Sequence, residues 1–253
     1  MNFVKKIEIK IIVLLIVLFN KGKFIKYNLV SFGTSYGKWT VPKSLIDENS
    51  SCILAGAGDD ISFDLELLHN YRCKIVICDP TPKSKNLIDN FFRKGSYEFT
   101  DFIGQNKKLY FEKETLNEKV MFVNEGIYGK SDMMEFFFPK IENHASLSIL
   151  PNITSVNNNK SAKFKVTSLE DLIKINKIEN ISLIKMDIEG AEYDVIENFN
   201  FKTIPELNII CIEFHKTTKF YFMNLVKYCI ILYLKGFKPV FFQDMFNVIF
   251  IKR

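Results

Sequence analysis

Lys185, Asp187 and Glu189 occupy alternate positions in the stretch Leu183–Glu197, LIKMDIEGAEYDVIE. A strand buried on both faces reads as nearly unbroken Val, Ile and Leu. A lysine inside such a run, with acids gathering at its end, marks a rim where chemistry can be placed. Period-two alternation puts Leu183, Lys185 and Asp187 on one face and Ile184, Met186 and Ile188 on the other. Lys185 and Asp187 then lie about 6.6 Å apart along the strand, near enough to pair or to converge on a bound hydroxyl. Glu189 enters the turn, and Gly190 permits an unusual backbone angle there. Glu192, Asp194 and Glu197 are expected only to favour the start of the next helix. His215 ends a neighbouring apolar run, Asn208–Phe214; the other two histidines, His69 and His144, read as surface residues. A hydroxyl that is to be alkylated must lose its proton, and Asp187, Glu189 or His215 can take it, with Lys185 keeping Asp187 ionised and oriented. Asp187, Glu213 and His215 are also residue types that hold divalent ions. No spaced ligand motif accompanies them, so no metal is expected.

A second chemical signal lies upstream. Gly56-Ala57-Gly58 separates the apolar run Cys52–Ala55 from a helical pattern with Ile61, Leu65 and Leu68 at helical spacing. A G-x-G turn at a helix start lets a ligand approach the backbone closely. No third glycine follows, since Ser62 and Phe63 stand where it would fall, and the adjacent Asp59 and Asp60 would repel a pyrophosphate. Asp79-Pro80 ends the next strand, Lys74–Cys78, where an acid can accept hydrogen bonds from ribose hydroxyls. A nucleoside without phosphates and with a cationic group suits this arrangement. S-adenosylmethionine has that chemistry. An NAD(P)-dependent oxidoreductase and a non-catalytic scaffold keeping the fold are the competing readings.

These residues need a sheet to hold them. Ser51–Pro82 reads as strand, glycine turn, helix, strand: a βαβ unit with a right-handed crossover. Asp59 or Asp60 is expected to cap its helix, and Pro42 to open a short helix through Ile46. Further strands are expected at Leu109–Glu112, Lys119–Asn124, Met133–Phe138, Ser161–Val166, Leu183–Asp187 and Asn208–Phe214. Thr167 or Ser168 caps a helix, another follows Gly190, and Phe220–Lys235 forms a third that ends at Gly236. Lys238–Phe242 and Asn247–Ile251 close the chain as an antiparallel pair. Alternating strands and helices indicate one α/β domain over residues 32–253, preceded by an arm over residues 1–31.

The set Gly56-Ala57-Gly58-Asp59-Asp60-Ile61-Ser62-Phe63-Asp64, Asp79-Pro80-Thr81-Pro82 and Lys185-Met186-Asp187-Ile188-Glu189-Gly190-Ala191-Glu192 resembles the FkbM-type methyltransferases. The resemblance runs from about Tyr36 to Ile251, and Asp-x-Glu-Gly-Ala-Glu is its specific element. It implies a Rossmann-like class I fold: a seven-stranded, mostly parallel sheet with a terminal antiparallel pair and helices on both faces. It further implies S-adenosylmethionine-dependent methylation, mostly of hydroxyl groups, with Gly56, Gly58 and Asp79 holding the cofactor. By the same resemblance the turn Asn124-Glu125-Gly126-Ile127 lies near the adenine. Asp59, Asp60, Pro80, Gly126 and Ile127 complete the expected cofactor set. The acceptor is expected to be a small molecule or glycan received by loops such as Phe138–Lys160.

The chain has 253 residues and a net charge of +5, with 47% apolar and 25% charged residues, as in ordinary globular domains. Residues 1–28 hold six lysines and one glutamate, so the arm carries the whole excess and the remainder is neutral. A neutral body lacks the clustered bases that nucleic-acid binding needs. The apolar run Ile11–Phe19 would span only about 13 Å as a helix, too short for a roughly 30 Å hydrocarbon core. It reads either as a membrane-surface arm or as an apolar element docked on the domain. Five cysteines without a C-x-x-C pair are expected as buried free thiols in a reducing compartment. Those features place the protein in the cytoplasm, with weak peripheral membrane association through residues 1–28 as the arm's surface reading implies.

Overall fold

Short β-branched runs bounded by glycine and acids build the centre of the molecule, and the helices follow from apolar residues at helical spacing. The computed structural model describes residues 27–139, 147–149, 156–215, 221–244 and 246–253. Residues 1–26 of the N-terminal arm and His144 therefore lie outside the described residues, as does most of the stretch between Phe138 and Lys160.

The fold opens with a hairpin of β1 (Leu29–Phe32) and β2 (Trp39–Pro42). Pro42 closes that strand and is followed by a single 3-10 turn over Lys43–Leu45, which corrects the expected helix start. Then come β3 (Ser51–Ala55), α1 (Ser62–Tyr71) and β4 (Lys74–Cys78). Ile61, not an aspartate, holds the cap position of α1; Asp60 Oδ1 instead accepts from the Ser62 N–H at 2.8 Å. Helix α2 (Pro82–Lys94) has Thr81 as its side-chain cap and a proline in its first turn, a pattern the sequence analysis passed over. A hairpin of β5 (Ser96–Thr100) and β6 (Asn106–Tyr110) follows, with the second strand earlier than expected and the first unforeseen.

Helix α3 (Lys113–Lys119) leads into β7 (Val120–Val123). The short β8 (Gly126–Ile127), β9 (Asp132–Pro139) and β10 (Val156–Thr167) form a separate three-stranded sheet in the order β8-β10-β9. Next are α4 (Leu169–Asn176), capped by Ser168, then β11 (Ile181–Met186) and α5 (Glu192–Asn198). The chain ends with β12 (Ile209–Glu213), α6 (Tyr221–Leu234), β13 (Phe237–Phe242) and β14 (Asn247–Lys252).

Seven strands form the main sheet in the order β13-β14-β12-β11-β3-β4-β7. It is mixed: β12, β11, β3, β4 and β7 pair parallel, whereas β14 runs antiparallel to both β12 and β13. Period-two alternation divides its side chains between two apolar layers. Ile184 and Met186 join Leu172 of α4, Ile196 of α5 and Leu225 of α6 in one layer. Leu183 joins Leu65 of α1, Ile88 of α2 and Leu116 of α3 in the other. Helices thus cover both faces. The chain proceeds outward from β3 to β4 and β7, then returns to β11 on the other side, so the order reverses between β3 and β11. A crevice opens beyond the strand ends at such a reversal. Among the described residues no helix is long and apolar enough to cross a membrane.

Candidate active site

A cavity of about 370 Å³ lies at that reversal, within the roughly 300–1,000 Å³ of small-molecule sites. Four strand ends build its floor. Gly56 and Gly58 follow β3, Asp79 and Pro80 follow β4, Asp187 and Glu189 follow β11, and Glu213 and His215 end the β12 segment.

Gly56 has φ +86, and a Cβ there would lie 1.7 Å from the Asp187 carbonyl oxygen. Only glycine permits the β3 and β11 ends to close on each other. The next amides are captured by Asp79, a buried carboxylate. Its Oδ2 accepts from the N–H groups of Ala57 and Gly58, both at 3.0 Å, while Oδ1 accepts from Thr81 N–H at 2.8 Å. Asp79 therefore shapes the glycine turn as well as facing the cavity. A carboxylate offers about four acceptor positions, so roughly one remains for a ligand hydroxyl. Asn124 donates to the Asp79 carbonyl at 2.8 Å, which brings Gly126 and Ile127 onto the cavity wall. Asp60 also lines it and accepts from the Thr34 hydroxyl at 2.5 Å, tying down the loop before β2. Asp59 is absent from the lining and pairs outward with Lys83 at 2.9 Å, a correction to its expected place.

Lys185 is buried and its ammonium donates to the Gly56 carbonyl at 2.7 Å, but lies 3.7 Å from Asp187 Oδ2. Its shorter contact is thus to the glycine turn, and the expected pairing with Asp187 is the weaker of the two. Glu189 adopts φ 53 and Gly190 φ 105, so the acid sits in a left-handed turn that most side chains avoid. His215 is brought to this corner: Nε2 lies 3.7 Å from Asp187 Oδ1 and 3.5 Å from Glu189 Oε2. Its other ring nitrogen, Nδ1, lies 3.3 Å from Glu192 Oε1.

Glu192 contradicts the role expected of it. It is fully buried, and its carboxylate accepts from Gly190 N–H at 2.9 Å and from His215 N–H at 2.8 Å. It joins the β11 turn to the β12 end. Burial pushes the His215 imidazole down, but Glu192, Glu189 and Asp187 outweigh it and lift the pKa to about 10. Burial, reinforced by Asp187, raises Glu213 to about 7. One ligand atom each of Asp187, Glu213 and His215 lies within 4.8 Å of the others.

Sequence reasoning missed several lining residues: Trp39, Asp64, Phe136, Leu147, Asp244 and Asn247. Asp64 carried a readable signal, an acid between Phe63 and Leu65 on an apolar helix face. Burial raises its pKa from 3.8 to about 7, against the pull of Lys185 and with help from Asp60 and Asp187. A raised folded-state pKa means that its contribution is full below the unfolded value and is lost as pH rises through about 7. Wild-type protein is expected to lose about 2–4 kcal/mol from this group between pH 4 and 8. Chemical denaturation across that range should show a shallower decline for Asp64→Asn; parallel curves for the two proteins would refute the assignment.

Residues 53–247 match the model of the methyltransferase FkbM domain. No curated protein matches. A crystal structure of the methyltransferase FkbM from Methylobacillus flagellatus KT aligns at 13% identity with a TM-score of 0.48. The alignment covers 81% of this chain and 44% of that one, so the chain spans less than half the length of that protein.

Proposed function

Because the chain belongs to the FkbM methyltransferase domain family, we propose that it transfers a methyl group from S-adenosylmethionine to a hydroxyl of a small-molecule or glycan acceptor. The observation that carries this reading is the cavity at the reversal of strand order, where a glycine turn clamped by Asp79 adjoins a cluster of acids. Five parallel strands continued by an antiparallel pair suit the class I, Rossmann-like arrangement of such enzymes. Among the described residues, seven carboxylate side chains line the cavity against Lys185 and His215. That lining favours a sulfonium and an ammonium and repels a pyrophosphate, which disfavours the NAD(P) reading.

When bound, S-adenosylmethionine supplies an electrophilic methyl on sulfur. In this reading Gly56 and Gly58 let the cofactor approach the backbone, Asp79 takes a ribose hydroxyl, and Gly126 and Ile127 flank the adenine with Pro80. Asp187 and Glu189 face the acceptor and hold its oxygen in line with the methyl. The acceptor oxygen would take that methyl there, with the electron pair of the C–S bond left on sulfur. The hydroxyl proton passes to a carboxylate. His215 stands at the same corner, with Nε2 3.7 Å from Asp187 Oδ1 and 3.5 Å from Glu189 Oε2. Leu147 and Ile149, after β9, also line the cavity, and in this reading they meet the acceptor.

Calorimetric titration tests the reading. S-adenosylmethionine and its demethylated product should bind, and NAD and NADP should not. Asp79→Asn should weaken S-adenosylmethionine binding about tenfold or more, the worth of a charge-assisted hydrogen bond. Binding of NAD in preference to S-adenosylmethionine would reject the proposal.

A further inference from the structure

We propose that the ends of β11 and β12 form a divalent-cation site, with Asp187, Glu213 and Nε2 of His215 as ligands, and that the ion receives the acceptor's hydroxyl. The second clause rests on the methyl-transfer reading above; the site itself does not.

The geometry comes first. The three ligand atoms lie within 4.8 Å of one another, and all three side chains are partly open to the cavity. Metal–ligand bonds of about 2.0–2.2 Å place neighbouring donor atoms roughly 3.0–3.5 Å apart, inside that bound. A small inward rotation of side chains completes the set.

His215 is also oriented as a ligand. Glu192, fully buried, holds its backbone N–H at 2.8 Å and faces Nδ1 at 3.3 Å. Nε2 is thereby directed at Asp187 and Glu189. A carboxylate behind the imidazole is the arrangement that fixes ring orientation in metal-bound histidines.

An independent observation comes from β14. Asn247 stands opposite Glu213 in the β12–β14 ladder and lines the same cavity. Its Oδ1 is sealed from solvent without a hydrogen-bond partner, while its Nδ2 donates to Asp244 Oδ2 at 3.2 Å. A buried acceptor oxygen left unpaired is costly. A nearby cation, directly or through a bound water, satisfies it.

Charge points the same way. Among the described residues, seven carboxylate side chains line the cavity against one lysine and one histidine, and Lys185 is already engaged with the Gly56 carbonyl. Two carboxylates and one imidazole suit a hard to borderline ion such as Mn²⁺ or Mg²⁺. A bound ion orients the acceptor hydroxyl and increases its acidity, which leaves Glu189 to take the proton.

Mn²⁺ titration of the full chain, followed by electron paramagnetic resonance, tests the site. One equivalent should bind, with nitrogen coupling from a single histidine in the pulsed spectrum of the wild-type protein. Glu213→Gln and His215→Ala should each weaken binding by about tenfold or more. Glu98→Gln, on the exposed β5–β6 hairpin, should not. Absence of Mn²⁺ binding, absence of nitrogen coupling, or binding indifferent to both substitutions overturns the proposal. S-adenosylmethionine binding to wild-type protein in chelator separates the two readings. Cofactor binding without Mn²⁺ binding overturns the ion and leaves methyl transfer standing; Mn²⁺ binding without the cofactor does the reverse.

Discussion

Gly56→Ala is expected to be the most damaging single substitution in the sheet, with a loss above about 4 kcal/mol and little folded protein recovered. Two effects add. Alanine at φ +86 costs roughly 1–2 kcal/mol in backbone strain. Its Cβ would also stand 1.7 Å from the Asp187 carbonyl oxygen, a distance no packing tolerates. Neither neighbour can yield cheaply. Gly56 N–H donates to the Cys78 carbonyl at 2.9 Å, and Asp187 N–H donates to the Ala55 carbonyl at 3.1 Å, so β3, β4 and β11 would have to separate. Gly104 is the internal control. It has the same φ of +86 with nothing within 4 Å of its added Cβ, so Gly104→Ala should cost only the strain. Urea denaturation of the two variants measures the difference; equal losses would show that the strand contact is not limiting.

Glu192→Gln is the second large effect, at about 3 kcal/mol or more, which corresponds to a fall of roughly 6–12 °C in Tm for a domain of this size. One carboxylate satisfies Gly190 N–H, His215 N–H and the His215 ring. The amide keeps the shape but presents an N–H group to one of these donors, and no solvent reaches the site to compensate. His215 also loses the charge that contributes to its raised pKa. Thermal unfolding near pH 7 checks the value. A loss below about 1 kcal/mol would return Glu192 to the role of a plain charge at a helix terminus.

Local chemistry was enough to locate much of this protein. Alternation in Leu183–Asp187 separates Leu183 and Lys185 from Ile184 and Met186, and the two apolar layers divide at those residues. Glycine at 56, with acids beside it and Asp79 one strand later, marks the crevice because strand ends and glycine turns are encoded by adjacent residues. Capping by Ser168 and the antiparallel closing pair are legible for the same reason. Helix α2, opened by Thr81 and Pro82, and strand β5 are equally local, yet the expected elements include neither. Contacts between distant segments are of another kind. Glu192 looks like any acid in a first helical turn until His215, 23 residues away, folds over it. Asp59 and Asp60 are chemically alike, yet Lys83 draws one outward while Thr34 holds the other at the cavity. Lys185 prefers the Gly56 carbonyl to its strand neighbour Asp187 because β3 lies beside β11, 129 residues away in sequence. Sequence spacing encodes period and turn, which are properties of a few consecutive residues. Which charges share a buried corner depends on strand order, and that is decided only when the whole sheet assembles.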